Sequence, residues 1–444
     1  MSERARSQIR RAARRLVLVV TFALVLALLG ASAQPALAAA GDLDPSFDGD
    51  GKVTTSFGSS NTPMSSMAVG VKVQQSGRIV ALGFAGTSES VKDFALAGYS
   101  PNGQLDPAFG TGGKVISPIG PGEDVANAMA IQADDKIVAV GVAYTSSGSD
   151  FAMARYLPNG SPDLTFSGDG KVITPVSSTV YDAARAVAVQ QDGKIVAAGY
   201  VRIGNYEQFA LVRYLTDGQL DPAFGNGGIV TTSFGAGAAT AEGIAIQPNG
   251  RIVLVGRFKN DVALARYLDN GQLDPTFGTG GKAVTSMPAF TRAESIALQP
   301  DGMIVIGGVT SQNSKQHFLV MRYRGFGALD PAFGNGGIVT TKVVPGEYGA
   351  AVSAVTMHTK GTIVAAGRTC KGPYDCTVAL TRYLPAGQLD PHFGTGGVVT
   401  TKFPAGYSNA LAVAVGKADR IVVAGYARDA NDDSDFALAR FLAD

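Results

Sequence analysis

The chain is poor in the residues that most often carry out chemistry. Its 444 residues include three histidines, His317, His358 and His392, and two cysteines, Cys370 and Cys376. No spacing among these suggests a metal-ligand cluster or a nucleophile–base pair. The segments with a calcium-loop look, Asp48-Gly-Asp50-Gly51 and Gly168-Asp169-Gly170, lack the later acidic ligand. No metal and no cofactor are expected. Positive charge is not in excess, because 37 Lys and Arg face 36 Asp and Glu. A nucleic-acid partner, which demands a basic footprint, is therefore not expected. Beyond Leu16–Leu29 no apolar run is long enough to span a bilayer.

That one apolar run sits in a leader. Six arginines precede it (Arg4, Arg6, Arg10, Arg11, Arg14 and Arg15), and Ala36-Leu37-Ala38 follows it. A charged segment, an apolar segment and an A-x-A site predict a secretory signal peptide over residues 1–38. Cleavage is expected after Ala38, with Ala33 as the alternative. Removing six arginines and Glu3 takes the formal charge from +1 to −4. The exported chain should then have no membrane span. In an oxidising compartment Cys370 and Cys376 are expected to form a local disulfide.

What the chain has in abundance is a repeat. LDPSF (Leu43–Phe47), LDPAF (Leu105–Phe109), PDLTF (Pro162–Phe166), LDPAF (Leu220–Phe224), LDPTF (Leu273–Phe277), LDPAF (Leu329–Phe333) and LDPHF (Leu389–Phe393) are copies of one motif. Their aspartates, at 44, 106, 163, 221, 274, 330 and 390, lie 53 to 62 residues apart. A fixed period of this size means one supersecondary unit copied around an array. Each unit reads as four strands, a to d. In the third, Ala186–Gln190 and Lys194–Tyr200 flank an Asp-Gly turn, Gln208–Tyr214 follows a variable loop, and Ile229–Phe234 follows the LDPAFGNGG segment. The strands mix Val, Ile and Leu with Ala and Gly, as strands buried on both faces do. The 57 glycines fit many tight turns.

Seven such units predict an all-β, seven-bladed β-propeller of four-stranded blades, one domain over residues 39–444. A parallel β-solenoid is the alternative, but no caps are visible. The ends support closure. Lys52–Phe57 reads as a strand d without a, b or c before it. Asp435–Phe441 reads as a strand c with no d after it. The N-terminal strand should complete the C-terminal blade.

The consensus A-x-A-V-Q-x-D-G-K-I-V-A-x-G, D-F-A-L-x-R-Y, G-x-L-D-P-x-F-G-x-G-G-x-V resembles the delta-60 repeat family of secreted bacterial β-propellers. The likeness covers nearly all of residues 41–444. It departs at Pro162-Asp163-Leu164 and at Gly98-Tyr99, where the pattern has Leu-Asp-Pro and Arg-Tyr. The resemblance implies a propeller and transfers no catalytic residue.

Within the unit, Asp-Pro suits a type I turn with the carboxylate accepting a backbone N–H. The strand-c arginine of six units (Arg155, Arg213, Arg266, Arg322, Arg382 and Arg440) should pair with that aspartate in the interior. The a–b and c–d connections are nearly constant. The b–c and d–a connections vary, and they share the other face of the propeller. Rigid scaffolds carry function on variable loops, so binding is expected there. That face holds Tyr144, Tyr181, Tyr206, Phe290, Tyr348, Tyr374 and Tyr407, suited to stacking on sugars or peptides. At the start of strand a, near the channel mouth, aligned positions hold Val69, Asn127, Arg185, Glu242, Glu294, Ser353 and Leu411. The candidate binding residues are Asn127, Arg185, Glu242, Glu294, Tyr181, Tyr348 and Tyr407.

Two functional classes fit. One is a secreted, non-enzymatic propeller binding an extracellular or envelope glycan or protein. The other is a propeller hydrolase or lyase in which Glu242 and Glu294 act as acid and base. A purely structural spacer is a third.

Overall fold

The computed structural model describes residues 38–443 except 60–63, 88–91, 147, 178–180, 313–314, 359, 405 and 429–432. The expected leader falls almost wholly outside the described residues. From Lys52 onward the strands form seven four-stranded antiparallel sheets, the blades of a β-propeller. Blades 1 to 6 span residues 65–117, 124–174, 182–232, 239–285, 291–341 and 349–401. Blade 7 joins Ser408–Val415, Ile421–Arg428 and Ser434–Phe441 to the N-terminal Lys52–Thr55. Lys52 lies opposite Ala439 and Thr55 opposite Phe436, so the two ends of the chain complete one sheet.

The blades hold together through the repeated motif. Each motif aspartate accepts the backbone N–H two residues on, as Asp163 does from Thr165 at 3.1 Å. Its other oxygen takes the strand-c arginine: Arg155–Asp163 at 2.7 Å, Arg213–Asp221 at 2.9 Å and Arg440–Asp44 at 2.9 Å. Arg266–Asp274, Arg322–Asp330 and Arg382–Asp390 repeat the pair. Burial opposes ionisation of Asp163, but the Thr165 hydrogen bonds and the Arg155 and Lys136 charges outweigh it, lowering its pKa to about 2. The same guanidinium then reaches the next blade. Nη1 of Arg155, Arg213, Arg266, Arg322, Arg382 and Arg440 donates to the carbonyls of Thr216, Asp269, Gly325, Pro385, Ala443 and Pro101. The last of these closes the ring from blade 7 to blade 1.

Blade 1 has Gly98 where the others have arginine. A Cβ there would meet the Phe109 ring at 2.4 Å. Arg78, from the start of strand b, takes over. It contacts Asp106 at 2.7 Å and donates to the Pro158 carbonyl of blade 2 at 3.0 Å. A second link is the tyrosine that follows. The hydroxyls of Tyr214 and Tyr267 bond Thr174 and Thr232 of the preceding blade at 2.8 Å. Apolar side chains from adjacent sheets fill the space between; Val196, Leu211, Ala241 and Leu254 pack together between blades 3 and 4. Both faces of every sheet are thereby buried, which explains the unbroken apolar strands.

The b–c connections read from sequence as loops are largely strand. In blade 3 the ladder runs through Val201–Gln208, Arg202–Glu207 and Ile203–Tyr206. A two-residue turn with Gly204 at φ +62° lets pairing continue to the tip.

Strand a carries a one-residue bulge in every blade. The register skips Val69, Asn127, Arg185, Glu242, Glu294, Ser353 and Leu411. A bulge re-aims the extra side chain. Strand b meets it with glycine. A Cβ on Gly199 would stand 2.0 Å from the Ala183 carbonyl oxygen, and Gly83, Gly141, Gly256, Gly308, Gly367 and Gly425 are equally confined.

Two outcomes follow. Arg382→Met should lower the stability read by urea unfolding by about 3 kcal/mol, because Asp390 then loses its cation. Arg266→Met should cost less, since Arg251 stays 2.8 Å from Asp274; equal losses would contradict this pairing scheme. Gly199→Ala should cost about 3 kcal/mol through forced displacement of the bulge. Gly372→Ala, whose methyl meets nothing within 4 Å, should stay within about 0.5 kcal/mol of the parent.

Candidate functional site

The bulges turn seven similar strands into a ring of dissimilar side chains. Val69, Asn127, Arg185, Glu242, Glu294, Ser353 and Leu411 all line one central cavity of about 460 Å³. The sequence alignment of the repeats therefore finds the channel mouth, and the bulge is the reason those positions face it. Asn127 Nδ2 donates to the Ala184 carbonyl at 2.8 Å, and Arg185 Nη1 approaches Asn127 Oδ1 at 3.5 Å. Across the ring, Thr240 donates to Glu242 at 3.0 Å. Arg292 donates to Glu294, a partner not foreseen although it lies two residues away on the same strand. Burial raises the Glu294 pKa; Arg292 opposes this, and the Glu242 charge adds to it.

Beside the mouth lies a groove of about 350 Å³ on the variable face. Tyr348, Tyr407, Gln316 and the Cys370–Cys376 disulfide line it. The two cysteines are direct partners in the blade 6 hairpin, joined at an S–S distance of 2.02 Å. The Tyr407 ring stacks on Tyr426 with centroids 5.8 Å apart, and Arg428 lies over it at 4.9 Å. Tyr348 is 59% exposed. Arg368 lines both the groove and the channel cavity. Its guanidinium has neither ion pair nor hydrogen bond among the described residues. Sequence reading missed Arg368, which directly follows the strand-b glycine, where the other blades hold Phe84, Val142, Tyr200, Arg257, Val309 and Tyr426.

The structure brings Tyr348 and Tyr407 together but leaves Tyr181 elsewhere. Tyr181 lies at the start of blade 3, 49% exposed, bridged to Ser149, and lines neither cavity. Tyr144, Tyr206, Phe290 and Tyr374 are also exposed. His317 is in strand c (Lys315–Tyr323), because the hairpin pairing extends past it. It is buried, with Nδ1 3.1 Å from Glu347 Oε1. Glu347 also accepts Val343 N–H and Thr369 Oγ1, each at 3.1 Å, so this cluster anchors the d–a loop beneath the groove. Asp182 plays the same part before blade 3, accepting the N–H groups of Phe151 at 2.8 Å and Val176 at 3.0 Å. Its burial, and the Asp150 charge next to it, raise its pKa to about 7, yet it lines neither the channel nor the groove. Among the described residues no group of three or more His, Cys, Asp and Glu is placed to hold a metal ion, and no helix is long and apolar enough to cross a membrane.

No curated protein matches the sequence. Among solved structures, a streptogramin B lyase is 10% identical, covering 88% of this chain and 98% of its own at a TM-score of 0.49. A protein from Lactobacillus plantarum is 16% identical, covering 82% and 96% at 0.49. An ulvan lyase, a polysaccharide lyase bound to a saccharide, is 11% identical, covering 84% and 90% at 0.45. Identities this low transfer no activity. Six stretches, residues 74–109, 132–166, 190–224, 247–277, 299–333 and 418–444, match the family model described as "Domain of unknown function (DUF5122) beta-propeller". Five of them run from the glutamine that follows a strand a to the phenylalanine of the repeated motif, so the matched stretches coincide with the repeat read from this sequence.

Proposed function

We propose that the protein is an exported, non-enzymatic propeller of the delta-60 kind. In this reading residues 1–38 are a cleaved leader and residues 39–444 are one propeller domain. It binds an extracellular or envelope partner through the b–c/d–a face, and a glycan is the favoured partner. The carrying observation is the groove between Tyr348 and Tyr407, which shares with the channel cavity Arg368, a side chain with neither ion pair nor hydrogen bond among the described residues. Flat tyrosine rings offer sugar-stacking surface at low entropic cost. An arginine without a protein partner offers donors for hydroxyl or acidic groups. The constant face provides no comparable variation, since its turns serve the blade-to-blade contacts described above. Asn127, Arg185, Glu242 and Glu294 would then read the end of the partner that enters the mouth. The disulfide and the leader both agree with an oxidising, extracellular setting.

A second reading is a hydrolase or lyase using Glu242 and Glu294. One observation favours it: burial holds the Glu294 pKa up, as a general acid needs. The Arg292 contact weighs against it, because an ion pair fixes the carboxylate in its charged form.

The readings separate in two measurements. Thermal unfolding against a panel of cell-wall glycans and soluble polysaccharides should show a concentration-dependent rise with a bound glycan. Tyr348→Ala and Tyr407→Ala should each weaken that binding about tenfold, roughly the worth of one aromatic contact. Unchanged affinity in both would remove the groove from the account. Incubation of the bound glycan with the protein should release no shorter product. Turnover that disappears in Glu294→Gln would establish the enzyme reading instead.

A further inference from the structure

One side chain in the channel breaks the repeat and is used by nothing described so far. Three residues beyond the bulge, strand a carries Ala130, Ala188, Ala245, Ala297, Thr356 and Ala414 in blades 2 to 7. Blade 1 carries Lys72 there. The position lies about 10 Å further along the strand than the mouth ring. Lys72 lines the same 460 Å³ cavity as Arg185 and Glu294. Its side chain is solvent-exposed within the channel. It has neither ion pair nor hydrogen bond among the described residues.

An ammonium on a channel wall gives up part of its hydration, and no anionic group beside it among the described residues makes up the loss. Burial accordingly lowers its pKa. Such a group is costly to keep, and the alanine of the other blades would avoid the cost. The charges around it leave a positive excess. Lys72, Arg185, Arg292 and Arg368 line the cavity against Glu242 and Glu294. Glu294 is already engaged by Arg292, and Glu242 accepts from Thr240. The volume lies within the range of small-molecule sites, about 300–1,000 Å³.

We infer that the central channel is a binding site for a small anionic molecule, carboxylate- or phosphate-bearing and of about monosaccharide size, with Lys72 as its deep anchor and Arg185 and Arg368 at its rim. The bound anion supplies the counter-charge that Lys72 lacks. This site adjoins the outer groove at Arg368, but Lys72 does not line the groove and Tyr348 and Tyr407 do not line the channel, so variants at these residues test the two sites separately.

Calorimetric titration of the purified protein with glucuronate, inorganic phosphate and glucose tests it. Glucuronate, phosphate or both should bind saturably, and neutral glucose should not. Glucuronate alone would point to a uronic acid, phosphate alone to a phosphorylated molecule. Lys72→Ala should weaken anion binding at least tenfold. Its thermal midpoint should not fall, because alanine is the residue of five other blades at this position; Lys72→Met serves as a second variant of closer length. Absence of saturable binding by the parent, or parental affinity in both variants, would overturn the inference. Glycan binding at the groove should be unchanged in Lys72→Ala, so failure of one site is distinguishable from failure of the other.

Discussion

The arginine–aspartate pair at the end of strand c is the contact on which the rest of the propeller depends. A blade alone cannot bury either of its apolar faces, so everything rests on docking it to its neighbours. Each guanidinium ties its own motif aspartate to a backbone carbonyl of the next blade. A buried carboxylate and a buried cation are each expensive alone and acceptable only together with filled hydrogen bonds. The motif satisfies that condition once per blade, and the last instance pairs Arg440 with Asp44 from the other end of the chain. Ring closure is thus specified by the same interaction that repeats around it. Blade 1 shows how tightly the requirement is held. Where strand c offers only Gly98, the cation is delivered from strand b as Arg78, to the equivalent pair of acceptors.

A second constraint makes the ring useful. A regular strand a would present the same face to the channel in every blade. The bulge inserts one residue that pairs with nothing and is aimed inward, and a glycine on strand b makes room for it. Because the bulged residue takes no part in the ladder, its identity is free to differ from blade to blade. Valine, asparagine, arginine, glutamate, serine and leucine all occur there. The scaffold thereby separates what must repeat from what can vary. The constant turns and the arginine contacts hold the assembly; the bulged ring and the hairpin tips carry its chemical individuality.

The channel ring was legible in the sequence because alignment of the units exposes a variable column beside constant ones. The disulfide was legible from the closeness of the two cysteines in sequence, although its place within a paired hairpin was not. The hairpin tips were read as loops because their polar residues lack alternation, while a glycine turn let their backbones pair regardless. Tyr348 and Tyr407 were each legible as exposed aromatics, but 59 positions separate them, and only the stacking of blades 6 and 7 brings them into one groove. The same criterion picked Tyr181, which the fold sends to another part of the rim. Lys72 was legible in principle, as the one lysine in a column of alanine and threonine. It draws notice only when that column is known to reach the channel.

The amino-acid sequence by itself determined the architecture: the period sets the number of blades, the apolar strands require burial on both faces, and the split between first and last strand sets the closure. These are local and repeated demands, so a single chain states them many times over. What the tertiary structure alone decided is which of the residues that differ between units meet. Convergence of Arg185, Glu242, Glu294 and Lys72 on one cavity, and of Tyr348, Tyr407 and Arg368 on another, depends on ring curvature and on the inward turn of the bulge. Neither is a property of any one repeat, because distances across a channel are set by seven sheets packing together.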